Sequence, residues 1–238
     1  ANMHQGWPKY AASMWMATND NGLIAVAYGP STVRAKVGNG EVVTITEETD
    51  YPFDGTVRFK IKSEKPVRFS FYLRIPGWAD QAEITYKDKT LSEKGGSTVK
   101  IFARWDPDET ITMELPMKIR TEKRYNNSVS LLRGPLYFSL RMEKEYKSVR
   151  INYDNFGYKG SIDWEIYPKS PWNYGLMIDR NNLERGVQAI SNEVGKYPFA
   201  DKGDMIWSAD SAKYISWDKD AAIIINTRGM KIPGWTMQ

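Results

Sequence analysis

Cysteine is absent from the 238 residues, which excludes disulfides, thiolate metal ligation and a cysteine nucleophile within this chain. Histidine occurs once, at His4, so a Ser-His-Asp arrangement would need His4 as its base, and a multi-histidine zinc site is excluded. No apolar run approaches the length that spans a bilayer, and no secretory leader stands at the front. The opening Ala1, without an initiator Met, suggests a processed chain or an excised piece. Charge of one sign is not concentrated either: 33 Lys+Arg against 29 Asp+Glu leave a net +4 spread along the chain, the pattern of solvated surface and not of a nucleic-acid face. Neither nucleic acid nor membrane is therefore expected as a partner.

What is present is alternation. Val57, Phe59 and Ile61 alternate with Arg58, Lys60 and Lys62. After Glu64-Lys65-Pro66, Val67, Phe69, Phe71, Leu73 and Ile75 alternate with Arg68, Ser70, Tyr72 and Arg74. A period of two sends every second side chain to one face, so these runs read as adjacent antiparallel strands with one buried face and one cationic, wet face. Turn signals at Gly29-Pro30, Gly38-Asn39-Gly40, Gly95-Gly96 and Asp106-Pro107 separate further strand-like runs over 23–28, 32–37, 41–49, 82–87, 98–104 and 110–115. Short strands at such spacing favour an antiparallel sandwich. The run 129–140, broken by Gly134-Pro135, reads as one strand bent at Gly134. Beyond it the pattern is less regular, with strands expected over 164–167, 174–179, 187–194 and 221–227.

The first 18 residues differ. Trp7, Tyr10, Ala11, Met14, Trp15 and Ala17 recur at helical spacing with almost no polar face, so 1–18 reads as a short helix that needs a larger body to bury it. The expected organisation is mainly β: a terminal helix over 1–18, a first antiparallel β-sandwich over 19–125 and a second, smaller one over 126–238.

Candidate chemistry is sparse. Asp163 and Glu165 stand two apart on a predicted strand beside Tyr167, Trp172 and Tyr174, the carboxylate pair and aromatic faces that a glycosidase needs. Carboxylates one strand step apart are equally ordinary surface, and Glu47 and Glu48 read the same way. Ser170-Pro171-Trp172-Asn173-Tyr174-Gly175 has the composition of an ordered loop, either stacking a sugar or plugging a domain seam. Next to a helix start, His4 is more often a hydrogen-bonder than a catalyst. No residue is singled out as catalytic or as a metal ligand; His4, Trp164, Trp172 and Tyr174 are the candidates for contact with substrate.

Five separated stretches carry a resemblance: Ala1-Asn2-Met3-His4-Gln5-Gly6-Trp7-Pro8-Lys9-Tyr10, Thr49-Asp50-Tyr51-Pro52-Phe53, Leu73-Arg74-Ile75-Pro76-Gly77-Trp78-Ala79, Arg133-Gly134-Pro135-Leu136 and 170–175. Together they resemble the C-terminal β-sandwich region of the β-L-arabinofuranosidases of glycoside hydrolase family 127. The resemblance implies an (α/α)6 barrel ahead of Ala1, with 1–18 as its last piece and two β-sandwiches after it. It also implies a zinc-held cysteine thiolate as nucleophile with glutamates around it, all upstream of this chain, so that no cofactor is expected here. Asn2 and His4 would then lie near the rim of that active site.

By the same resemblance the partners are the missing helical barrel, a second subunit in a homodimer and, for the intact protein, a plant-type glycan. Export to the periplasm or cell surface is the expected localisation. The competing reading is a carbohydrate-binding module that stacks sugars on Trp78, Trp164, Trp172 or Trp207, which requires coplanar rings exposed along a groove. A third, an intact hydrolase, requires Asp163 and Glu165 to face one another across a cleft.

Overall fold

The structure, a computed structural model, describes residues 3–153, 159–195, 198, 203–207, 212–216 and 221–235, with side chains described over 5–148, 164–195, 198 and 221–235. The chain is mainly β, and it divides into two compact units. The first is Ala1–Lys118 together with Leu132–Leu136; the second is Ile119–Leu131 together with Tyr137–Gln238.

In the first unit a helix, α1 (Met3–Ala12), precedes ten strands: β1 (Trp15–Ala17), β2 (Leu23–Ala25), β3 (Ser31–Val37), β4 (Glu41–Thr49), β5 (Thr56–Ser63), β6 (Val67–Arg74), β7 (Gln81–Tyr86), β8 (Lys89–Lys94), β9 (Thr98–Trp105) and β10 (Glu109–Glu114). They form a four-stranded sheet in the order β1-β2-β6-β9 and a six-stranded sheet in the order β3-β4-β5-β10-β7-β8. One continuous core joins side chains from both sheets, among them Val43, Ile45, Phe59, Phe71, Trp105 and Ile111. A sheet with one apolar face must cover it, and two such sheets cover each other.

Here the structure corrects one expectation. β5 and β6 are not neighbours in a sheet: β5 pairs with β4 and β10, whereas β6 pairs with β9 and, in parallel, with β2. The Glu64-Lys65-Pro66 link carries the chain from one sheet to the other, so the two apolar faces meet across the core, with the Phe59 and Phe71 rings edge to face at 5.3 Å. The cationic residues Arg58 and Lys60 on β5 and Arg68 and Arg74 on β6 consequently lie on separate outer faces. Alternation states that a face is buried; it does not state which strand lies beside it.

The helix read over 1–18 is also shorter. It stops at Ala12, and Trp15–Ala17 pairs antiparallel with β2, Trp15 opposite Ala25. Tertiary packing overrides the helical spacing there: the Trp15 ring stacks on Phe71 (5.9 Å, 9°) and meets Phe59 edge-on (5.9 Å, 89°), contacts that a continuing helix would forfeit. Residues 5–13 are all exposed, including Trp7 at 62% and Tyr10 at 49%.

The run 129–140 is two strands, not one bent strand: β11 (Ile119–Lys123), β12 (Val129–Arg133) and β13 (Leu136–Phe138) form a three-stranded sheet, with Gly134-Pro135 as the turn between the last two. Gly134 takes φ +55, a left-handed conformation that costs glycine nothing.

The second unit continues with four antiparallel pairs. β14 (Lys144–Tyr153) pairs with β15 (Lys159–Pro168), β16 (Tyr174–Leu176) with β21 (Gly229–Lys231), β17 (Val187–Ser191) with β20 (Ile223–Thr227), and β18 (Gly203–Trp207) with β19 (Ala212–Ser216). Among the described residues no helix is long and apolar enough to cross a membrane.

Candidate functional site

Four of the five sequence stretches that carry the resemblance lie in the first unit. Thr49-Asp50-Tyr51-Pro52-Phe53 leaves β4 as a turn held by local bonds: Tyr51 N–H donates to Thr49 Oγ1 (3.0 Å) and Phe53 N–H to the Asp50 carbonyl (2.8 Å). Arg74-Ile75-Pro76-Gly77-Trp78-Ala79 leaves β6 as a second turn, closed by Ala79 N–H on the Pro76 carbonyl (3.1 Å). The Tyr51 and Trp78 rings stack at 6.5 Å and 24°, and Tyr28 meets Tyr51 edge-on at 5.8 Å. Arg133, which opens the Arg133-Gly134-Pro135-Leu136 stretch, donates from Nη1 to the Phe53 carbonyl (2.8 Å).

Polar groups in this aromatic cluster are satisfied internally. Tyr28 donates its hydroxyl to the Arg74 carbonyl, and Arg74 Nε–H donates to the Val26 carbonyl. Burial pushes the Tyr28 and Tyr51 hydroxyls up in pKa; at Tyr51 a hydrogen bond from Trp78 opposes the rise and the Tyr10 hydroxyl of α1 adds to it.

The same unit buries a carboxylate. Glu47 occupies the inward phase of β4 after Val43 and Ile45 and is only 1% exposed. Its Oε1 accepts from Gly29 N–H (2.9 Å) and its Oε2 from the Ser31 hydroxyl (3.0 Å), while Ser31 Oγ accepts from Trp15 Nε1–H (3.0 Å). Burial raises its pKa to about 7, the two hydrogen bonds opposing. The reading of Glu47 as surface is therefore corrected. The signal was available in its phase with two apolar neighbours, which its charge concealed. No cation pairs with it and no second carboxyl faces it among the described ion pairs and hydrogen bonds, so this is a packing node between the two sheets rather than an acid/base pair.

Of the residues proposed to meet sugar, Trp164 pairs with a different ring from that met by Trp172. Trp164 lies on β15 and packs edge-on against Tyr146 (6.1 Å, 88°). Trp172 and Tyr174 share one segment, and Asn173 Nδ2 ties it down by donating to the Ile232 (2.9 Å) and Trp235 (3.2 Å) carbonyls. Trp172 meets Trp235 at 6.0 Å with the rings tilted by 44°, and Tyr174, 36% exposed, opposes Lys231 in β21. No coplanar pair of exposed rings is formed by these described residues. Of the two carboxylates, Glu165 accepts a hydrogen bond from the Tyr167 hydroxyl on its own strand. The side chains of Asp163, Trp207 and His4 lie outside the described residues.

Zinc, which the resemblance implies for an intact enzyme, does not fit the residues in hand. Cysteine is absent, histidine occurs once, and no group of three or more His, Cys, Asp or Glu that could hold a metal occurs among the described residues.

No curated protein matches the chain. Among solved structures it is similar to a GH127 β-L-arabinofuranosidase from Geobacillus stearothermophilus T6, with a TM-score of 0.52 and 19% identity, covering 91% of this chain and 34% of that one. A glycoside hydrolase (TM-score 0.47, 16% identity, 90% and 36% covered) and a GH127 β-arabinofuranosidase (0.45, 13%, 90% and 35%) also match. The chain thus spans about a third of the length of the solved proteins it matches. Residues 22–117, which hold every strand of the two facing sheets except β1, match the family model for the middle domain of the GH127 β-L-arabinofuranosidases.

Proposed function

We propose that this chain is the non-catalytic β-sandwich portion of a GH127-type glycoside hydrolase, bracing a helical catalytic body through α1 and the aromatic cluster, and offering contacts to a second subunit. The observation that carries the reading is a helix whose described side chains are all exposed: Trp7 and Tyr10 meet edge-on (6.0 Å, 88°) on its surface, and the helix leads into a stretch, residues 22–117, that matches the GH127 middle domain. In the intact protein the thiolate, zinc and acid/base groups would lie outside these residues, and the substrate would be a plant-type β-L-arabinofuranoside. Periplasmic or cell-surface location goes with that substrate.

Two measurements test it. The chain alone is expected to leave aryl β-L-arabinofuranosides unhydrolysed and to carry no stoichiometric zinc; turnover, or one zinc per chain by elemental analysis, would refute the reading. Replacing Trp7 and Tyr10 by Ser should change the chain's own stability by no more than about 0.5 kcal/mol, since both are exposed. In the polypeptide that carries the helical body, the same pair of changes should lower the melting temperature and open the junction to limited proteolysis. An unaltered melt there would show that α1 is not the brace.

The alternative, a sugar-stacking module, receives no comparable support, because Trp164 and Trp172 each meet an aromatic neighbour at a steep angle instead of presenting parallel faces.

A further inference from the structure

The outer face of the four-stranded sheet sets two arginines against each other. Arg68 on β6 and Arg104 on β9 are directly opposite in register, and both are exposed. Like charges so placed repel, and a sheet ordinarily avoids them. The neighbouring cations are matched: Lys65 with Glu41 at 2.7 Å and Lys100 with Asp20 at 2.9 Å. Arg104 has only a long contact from Nε to Asp106 (3.9 Å), and Arg68 has no carboxylate partner among the described ion pairs.

Beside the two guanidinium groups lies a depression of about 300 Å³, walled by Asn39, the Lys65–Glu41 pair, Pro66 and Val67. Its rim is fixed by Gly38 (φ +55), which lies so close to the Arg68 carbonyl that a Cβ would fall 2.3 Å from the oxygen. One step along the same face, opposite Ser70, the Phe102 ring is 65% exposed. Residues two apart on a strand share a face with backbone positions about 7 Å apart, so the ring and the two guanidinium groups are carried on adjoining places of one face.

We propose that this face carries a subsite for an acidic sugar, the Arg68 and Arg104 guanidinium groups taking a uronate carboxylate and Phe102 the face of the ring. Arginine suits the task because its planar donors match a carboxylate's two oxygens. The anion half of the assignment stands on the arginine pair alone; the sugar half rests on the carbohydrate reading given above.

Calorimetric titration of the whole chain at low salt, with a galacturonate trimer, a neutral galactose trimer and inorganic phosphate, tests both halves. The uronate trimer should bind at least tenfold more tightly than the neutral one, and phosphate at equal concentration should not displace it. R68Q and R104Q should each weaken uronate binding by about tenfold, the loss of one charged hydrogen-bonding partner, and F102S should weaken it severalfold. Melting temperatures should hold or rise in R68Q and R104Q, since each relieves the opposed charges. Equal binding of the neutral trimer, or undiminished binding by R68Q and R104Q, would overturn the subsite. Displacement by phosphate, or unchanged binding by F102S, would overturn the sugar half. None of these outcomes bears on whether the chain is non-catalytic, which the hydrolysis and zinc measurements decide.

Discussion

Between pH 5 and pH 8 the folded chain should lose about 2–3 kcal/mol of stability, and Glu47→Gln should abolish that loss. Glu47 has a pKa of about 7 in the folded chain against an ordinary 4.5, because burial penalises its charged form more than the Gly29 and Ser31 hydrogen bonds offset. The folded state therefore holds the proton more tightly than the unfolded state. The contribution is full below about pH 4.5 and is lost as pH rises through 7. The full shift at about 1.4 kcal/mol per pH unit corresponds to a little over 3 kcal/mol, and the part that falls between pH 5 and pH 8 is about 2–3 kcal/mol because some of the change is already complete at pH 5.

Glutamine keeps one acceptor for Gly29 N–H and can donate to Ser31 Oγ, but it cannot ionise. Urea midpoints of wild type and variant at the two pH values provide the measurement, and their difference cancels every other titrating group. A variant that retains the wild-type pH slope would remove Glu47 as its cause.

Phe59→Ala should cost about 4 kcal/mol, within the usual range for emptying an aromatic site in a core. Phe59 is fully buried on β5 and touches three rings from three other strands or turns: Phe71 at 5.3 Å, Trp15 at 5.9 Å and Tyr28 at 6.2 Å. It also stands opposite Glu47 in the β4–β5 register, so the cavity would open beside the buried carboxylate. Edge-to-face ring pairs add about 0.5–1.5 kcal/mol each beyond area, and all three would be lost. Phe59→Leu should cost roughly 1–2 kcal/mol, because most of the volume remains. Urea unfolding followed by tryptophan fluorescence, to which the buried Trp105 contributes, reads both variants. A loss below about 1 kcal/mol for the alanine variant would mean that the two sheets close over the gap, and that Phe59 is not the node between them.

Legibility in the sequence follows from what local pattern encodes. Strands β4, β5, β6 and β9 were readable because Val43 and Ile45, Phe59 and Ile61, Phe69 and Phe71, and Val99 and Ile101 each repeat at a period of two and all face the core. By contrast β8, Lys-Thr-Leu-Ser-Glu-Lys over 89–94, has only Leu91 packed against the core and lies at the sheet edge, where charge is the normal composition. It gave no signal. At the candidate site, the turns that carry Tyr51 and Trp78 were visible as separate motifs, but their stacking was not, because nothing local in either turn specifies the other.

The sequence by itself determined that the chain is mainly β, that β5 and β6 each bury one face, and that no thiol can act within it, since composition and period-two alternation are local properties. Only the tertiary structure decided that β5 and β6 lie in opposite sheets, that Trp15 leaves the helix for a strand, and that Glu47 is buried between them. Each of those outcomes depends on which distant apolar surface covers a given face, and that is a property of packing, which the alternation of one strand does not contain.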